Sequence, residues 1–263
     1  MTDVPALDTI RLEFDGDLLI ATLSRPSRAN AVSRQMLREL IELADWLDGN
    51  EAVRFLILTG DGQIFAAGQD LQEMREPLSD ESQARAAMRA LQRLAQEVMH
   101  KLEGLEQIAF AVIQGSAYGA GVAIAMTADF RLMAADAVLN LPETNLGMFL
   151  TYGATPRLVS VMGASAAKEF VMFARDMPAA DALRHGLVNV VAPRGELMAA
   201  ALAQVNELRG KDFRSLRITK RIAQAAAAVN VGDILVGEPE LSEGALSDGT
   251  TLELVDRFFK NKR

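Results

Sequence analysis

Three short stretches of this chain carry residue types that can hold and deprotonate a carbonyl compound. Two are glycine-bearing turns that each follow a strand and open a helix: Gly68 precedes Gln69 and Asp70, and Gly119 and Gly121 bracket Ala120. Glycine permits backbone conformations that other residues avoid. The first N–H groups of a helix have no partner within it and carry positive dipole character. Two such groups aimed at one point form an oxyanion hole; the alternative is a pair of tight turns with Gly for close packing. The third stretch is Leu139-Asn140-Leu141-Pro142-Glu143-Thr144-Asn145-Leu146-Gly147. It sets a carboxylate among apolar neighbours, and an apolar pocket raises a carboxyl pKa toward that of a usable base. A capping Glu in the first turn after Pro142 is the structural alternative.

Other chemistries have less support. The chain has no Cys, which excludes disulfides, zinc–thiolate sites, iron–sulfur clusters and thiol nucleophiles. Its histidines are two. His100 sits on an amphipathic helix and His185 precedes Gly186 at a helix end, where the dipole favours it; both read as structural, so a Ser-His-Asp triad is poorly supported. Gly163-Ala164-Ser165-Ala166-Ala167 begins like a nucleophile elbow but has Ala where the last Gly belongs. Ser165 reads instead as a helix N-cap. There is no Gly-Lys-Ser/Thr for a phosphate loop, and Ile124 stands where a dinucleotide fingerprint needs its third Gly. With 27 Lys+Arg against 35 Asp+Glu, the net charge of −8 opposes a nucleic-acid partner. Ile108 to Met126 is nearly charge-free and close to the length of a membrane span. Its glycines break it into a buried strand, a turn and a buried helix, so no membrane span is expected. Met1 to Pro5 shows no basic or apolar leader, and a cytoplasmic location is expected.

The elements that must position these residues are short and alternate. Thr9 to Phe14 and Leu18 to Leu23 read as a hairpin around Asp15-Gly16. Val32, Met36, Leu40, Ala44 and Leu47 repeat at helical spacing up to Gly49-Asn50. Arg54 to Thr59 is a strand, and a helical pattern is expected from Leu71. Residues 76–82 look like a mobile connection before a helix carrying Ala84, Met88, Leu91, Ala95, Val98 and Leu102. Ala109 to Ile113, Asp129 to Ala134, Val138-Leu139 and Leu187 to Val191 are further strands. Helices are expected over 165–174, 179–185, 195–209 and 212–229. The recurring strand, strand, helix order places the chain in the α/β class.

Taken in order, these segments resemble the crotonase family (enoyl-CoA hydratase/isomerase) over most of the chain. Ser24-Arg25-Pro26-Ser27-Arg28-Ala29-Asn30-Ala31 is similar to that family's N-terminal signature. Leu58-Thr59-Gly60 with Phe65 to Leu71 is similar to its first oxyanion-hole segment, and Gly115 to Gly121 to its second. Pro142-Glu143, Gly153-Ala154-Thr155-Pro156-Arg157-Leu158, Ala180-Asp181-Ala182 and Gly186-Leu187-Val188 follow in family order. The resemblance implies a ββα spiral core, residues 1–195, and a C-terminal α-helical module, 196–263, that builds trimers, often paired into hexamers. It implies an acyl-CoA thioester as substrate, with no further cofactor and no metal. By position, the N–H groups of Gln69 and Ala120 would bind the thioester oxygen. Gln69, Asp70, Leu71 and Gln72 would lie by the adenine, and Arg28-Ala29 by the CoA backbone. An RNA-binding side role, seen in some relatives, is opposed by the charge.

One departure from the family pattern decides the expected reaction. Family hydratases use two glutamates; the second corresponds to Glu143, but the first position holds Ala123, which cannot position or activate water. Hydration needs a base for the water and an acid for the α-carbon, whereas moving a double bond needs one proton shuttle. The expected activity is therefore 3-enoyl-CoA to 2-enoyl-CoA isomerisation with Glu143 as that shuttle. A decarboxylase or other enolate-forming enzyme, a hydratase with a substitute acid, and a silent acyl-CoA binder remain open. The stretch Met148 to Tyr152 departs from the family's Pro/Gly-rich loop, and Tyr118 or Tyr152 could bring a phenol to the pocket. Met74, Met88 and Leu91 are expected near the acyl tail, with core filling the alternative for the Met residues. Arg257, Lys260 and Lys262 read either as CoA phosphate contacts or as a solvated basic terminus.

Overall fold

The computed structural model describes residues 4–73, 81–227, 256, 257 and 260. It opens with the expected hairpin. Strands β1 (Ile10–Asp15) and β2 (Leu18–Leu23) pair antiparallel, with Phe14 opposite Leu19. Gly16 supplies the left-handed turn residue at φ 63°. Helix α1 (Arg34–Leu47) follows, capped by Ser33, whose side chain accepts the Met36 N–H at 3.1 Å. Its apolar stripe of Met36, Leu37, Leu40, Leu43 and Leu47 is fully buried.

The remaining chain winds between two sheets. β3 (Phe55–Gly60) joins the first sheet and β4 (Ile64–Ala66) the second, before helix α2 (Glu81–Gly104). β5 (Ile108–Ile113) and β6 (Ser116–Tyr118) repeat the step, followed by α3 (Ala120–Ala125). β7 (Phe130–Ala134) and β8 (Val138–Asn140) repeat it again, before helix α4 (Ala154–Phe173). β9 (Met177–Pro178), α5 (Ala179–Arg184) and β10 (Val190–Ala192) complete the sheets. The first sheet runs β1-β2-β3-β5-β7-β10 and the second β4-β6-β8-β9. All pairs from β2 to β10 in the first sheet are parallel, and β8–β9 is antiparallel. Parallel strands buried on both faces need near-continuous apolar runs, and Phe55-Leu56-Ile57-Leu58 and Ile108 to Ile113 are buried throughout. This is the α/β spiral expected of the sequence, and helices α6 (Leu197–Arg209) and α7 (Phe213–Ala227) complete the described chain. α6 packs on β5, β7 and β10 and adds Leu197, Ala201 and Val205 to the core. From α7, the buried Lys220 ammonium donates to the Gln107 carbonyl and pairs with Asp129, both at 2.8 Å.

Several boundaries differ from the expectation. Leu71 and Gln72 form a turn rather than opening a helix, and residues 74–80 lie outside the described part. Glu81 and Ser82 already belong to α2 instead of the preceding connection. The glycine-rich turn contains the strand β6, too short to show periodicity. The helix expected from residue 165 begins at Ala154, and Gly163, at φ 78° and ψ 157°, breaks it in the middle. Pro156 concealed the first half, yet it stands in the first turn, where proline is tolerated. The late strand is shifted to Val190–Ala192. Ile108 to Met126 folds as β5, β6 and α3, and no described helix is long and apolar enough to cross a membrane.

Candidate active site

The two glycine turns meet. Beyond β4, Val32 and Gln69 form a single parallel bridge. In it the Val32 N–H donates to the Gly68 carbonyl at 2.8 Å, and the Asp70 N–H donates to the Val32 carbonyl at 3.0 Å. Because a parallel bridge uses the carbonyl before and the N–H after the bridged residue, the Gln69 N–H is directed away from Val32. It has no acceptor among the described residues. Gly68, at φ 88°, lets this segment reach the second turn: a Cβ on it would lie 3.1 Å from the Tyr118 carbonyl oxygen and 3.8 Å from the Ala120 nitrogen. In that second turn the Gly119 N–H donates to the Asn140 carbonyl at 2.9 Å. Ala120, as the first residue of α3, has no intrahelical acceptor for its N–H. Two unpaired backbone donors thus come from adjoining segments, and Gln69 and Ala120 line one cleft.

Glu143 lines the same cleft. It follows β8 in a 3-10 turn, Pro142–Leu146, that Gly147 closes in the left-handed conformation. Pro142 begins this turn, as the fixed φ of proline favours. The carboxyl lies over Gly119, where an added Cβ would fall on Oε1. Its Oε2 is buried without a hydrogen-bond partner among the described residues. Loss of solvation disfavours the charged form, and burial pushes the Glu143 pKa up to about 7. A base of that strength works near neutral pH. Gly119→Ala is expected to displace this carboxyl and strain a backbone at φ 46°. Misplacement of a catalytic group by about 1 Å costs roughly 10²-fold in rate. Turnover should fall by about that factor with the far-ultraviolet spectrum unchanged, as steady-state kinetics and circular dichroism would show.

The rest of the lining differs from expectation in detail. Tyr152 lines the cleft, whereas Tyr118 does not, and its carbonyl lies near Gly68. Met88 lines it, Leu91 is buried in the core, and Met74 lies outside the described residues. Met148, Phe149 and Thr151, from the loop that departs from the family pattern, also face it. Ala123 is fully buried in α3 and does not line it. Gln92 was not anticipated. It falls four residues after Met88 on the apolar stripe of α2, and a polar residue on such a stripe is the signal that could have found it.

Of the residues expected around CoA, Gln69, Leu71 and Ala120 line the cleft, and Arg28, Ala29, Asp70 and Gln72 do not. Arg28 is exposed and donates to the Gln72 side-chain oxygen, tying the turn Pro26–Arg28 to the turn after Gln69. Ala29 is left-handed at φ 48°. Leu71 lines the cleft. The Asp70 carboxylate turns inward: it pairs with Arg25 at 3.0 Å and accepts the Gln72 N–H at 3.2 Å, so it shapes the turn. Asn30 anchors the opposite side. Fully buried at φ 54°, it donates to the carbonyls of Asp61, Ile64 and Phe65 and accepts the Arg25 N–H at 2.9 Å. Asn30→Ala leaves those groups unpaired and is expected to destabilise the fold by about 2–4 kcal/mol, read from denaturant midpoints. Arg257 and Lys260 are helical and exposed, and Lys262 lies outside the described residues. His185 caps α5, and His100 lines a second cavity between α2, α4 and α7, to which Tyr152 also contributes.

The chain is similar to known proteins in sequence and in fold. A sequence profile described as enoyl-CoA hydratase/isomerase matches residues 13–248. The short-chain-enoyl-CoA hydratase of Clostridium acetobutylicum is 29% identical, covering 98% of this chain and 97% of its own. A Thermobifida fusca YX protein assigned as an enoyl-CoA hydratase, solved in complex with acetoacetyl-CoA, is 29% identical with a TM-score of 0.77; the match covers 90% of this chain and 92% of that one. A monofunctional enoyl-CoA isomerase from M. smegmatis is 25% identical with a TM-score of 0.70, covering 84% of this chain and 95% of that one.

Proposed function

The chain belongs to the enoyl-CoA hydratase/isomerase family, and from that premise we propose that it moves the double bond of a 3-enoyl-CoA to the 2-position. The thioester oxygen accepts the N–H groups of Gln69 and Ala120. Glu143 removes a proton from C2, the two N–H groups hold the dienolate that forms, and Glu143 returns the proton at C4. Arg28, Ala29 and the segment Gln69 to Gln72, with Asp70 shaping its turn, border the CoA moiety. Substrate binding of this kind is supported by the acetoacetyl-CoA complex of the Thermobifida fusca relative.

The observation that carries this reading is that Glu143 is the one carboxylate among the described residues lining the cleft. Hydration, the activity in the name of the Clostridium relative, needs a second group to activate water. Tyr152 is the nearest alternative. Its phenol is pushed further from ionising, first by burial and then by the Glu143 charge, so it donates hydrogen bonds but is no base. Decarboxylation is disfavoured because no Lys or Arg among the described residues lines the cleft to pair with a malonyl-type carboxylate. The discriminating assay incubates the protein with 3-hexenoyl-CoA, crotonyl-CoA and malonyl-CoA. Conjugation of the first without hydration of the second or release of CO₂ from the third supports isomerisation; hydration of the second alone overturns it.

A homotrimer or hexamer is the assembly we propose. The exposed apolar Ile218 and Ile222 on α7 support it, and light scattering that reports a monomer would contradict it.

A further inference from the structure

The lining of the cleft is more polar than an alkyl chain requires. Among the described residues, Gln92, 3% exposed, has its Oε1 buried without a partner, while its amide nitrogen donates only to the Met88 sulfur at 3.6 Å. Tyr152, also 3% exposed, has its hydroxyl buried without a partner among the described residues. Both line the same cleft as Glu143. Buried polar atoms without partners are costly, and two of them on residues that line one cleft point to a ligand group that completes them.

The backbone holds Tyr152 there against its own preference. It is left-handed at φ 63°, a conformation unfavourable for a residue with a bulky Cβ substituent. The Arg157 guanidinium fixes it by donating to the carbonyls of Tyr152 at 3.4 Å and Gly153 at 2.8 Å. Glu103 in turn holds Arg157 at 2.6 Å. Such strain persists where surrounding contacts over-determine it, and it gathers at functional sites.

We propose that the acyl group taken by this cleft carries a hydroxyl beyond C3, which donates to Gln92 Oε1 and accepts from the Tyr152 hydroxyl. A hydroxyl both donates and accepts, so it satisfies both atoms. A carboxylate has no proton for Gln92 Oε1 and would meet the Glu143 carboxylate without a counter-ion. The inference rests on the reading of the cleft as an acyl-CoA site.

The test uses saturated ligands that cannot isomerise, so it reads recognition apart from turnover. Calorimetry on the full chain would compare 4-hydroxybutanoyl-CoA with butanoyl-CoA and 5-hydroxypentanoyl-CoA with pentanoyl-CoA. At least one hydroxylated ligand should bind about tenfold or more tightly than its parent, as expected where a buried site bonds a substrate hydroxyl. Gln92→Leu and Tyr152→Phe should each bring that ratio toward one. Equal affinities in the unaltered protein would mean that water alone completes these atoms, and would overturn the inference while leaving the acyl-CoA site intact. Binding of none of the four would overturn both.

Discussion

Glu143→Gln is expected to lower turnover of a 3-enoyl-CoA by about 10²–10⁴-fold, the usual contribution of a positioned general base. Glutamine keeps the shape of the side chain and removes the proton acceptor, so KM should change little. The unaltered protein should show kcat/KM rising about tenfold per pH unit below 7 and levelling above it, because Glu143 must be ionised to act and its pKa is pushed up to about 7. The same burial predicts an opposite effect on stability. Below about pH 4.5 the carboxyl is protonated in both folded and unfolded chains, and burial carries no charge penalty. Between pH 4.5 and 7 the folded protein holds a proton that the unfolded chain releases, so stability falls as pH rises. The difference amounts to about 3 kcal/mol above pH 7. Glutamine escapes it. E143Q should therefore match the unaltered protein near pH 4 and exceed it by up to about 3 kcal/mol at pH 8, as denaturant titrations at the two pH values would show. A variant that is inactive yet more stable separates a catalytic carboxylate from a structural cap, whose loss would weaken the fold.

Ala120→Pro should lower kcat by about 10²–10³-fold, as loss of one oxyanion donor does. The position permits a clean test. Ala120 is the first residue of α3, where proline fits and the missing N–H has no helical partner to lose. The proline Cδ would also stand where the thioester oxygen is bound, so KM should rise together with the loss of kcat. Unchanged turnover with a folded protein would remove the Ala120 N–H from the mechanism. Gln69→Ala offers the contrast. It keeps the second backbone donor and should retain the hole, since only the side chain is lost.

The order of elements was legible because each signal was local. The Asp15-Gly16 hairpin, the α1 stripe capped by Ser33 and the all-apolar β3 and β5 follow from alternation, helical spacing and burial. The elements misread are those whose existence depends on a neighbour. β6 and β9 are two or three residues long and exist as partners of other strands, β6 between β4 and β8 and β9 beside β8. The first half of α4 follows Gly153 and contains proline, so its helix is stabilised by what it buries, namely Ala154, Pro156, Arg157 and Leu158. The site was legible in its backbone donors and in Glu143, since glycine turns and a Pro-Glu pair have a recognisable pattern. It was illegible in Gln92 and uncertain in Tyr152. No periodicity announces that a lone polar atom inside an apolar helix face, or a phenol held in left-handed backbone, turns toward a cleft formed by three distant segments.

The most direct measurement follows the proton itself. 3-Hexenoyl-CoA bearing deuterium at C2 would be converted in ordinary water, and the position of the label in the product read by mass spectrometry and NMR. A single buried carboxyl that takes a proton from C2 and returns it at C4 predicts 2-hexenoyl-CoA with deuterium at C4, and no such product from E143Q. A product formed at full rate by E143Q, or a 3-hydroxyacyl-CoA in place of the conjugated thioester, would contradict it.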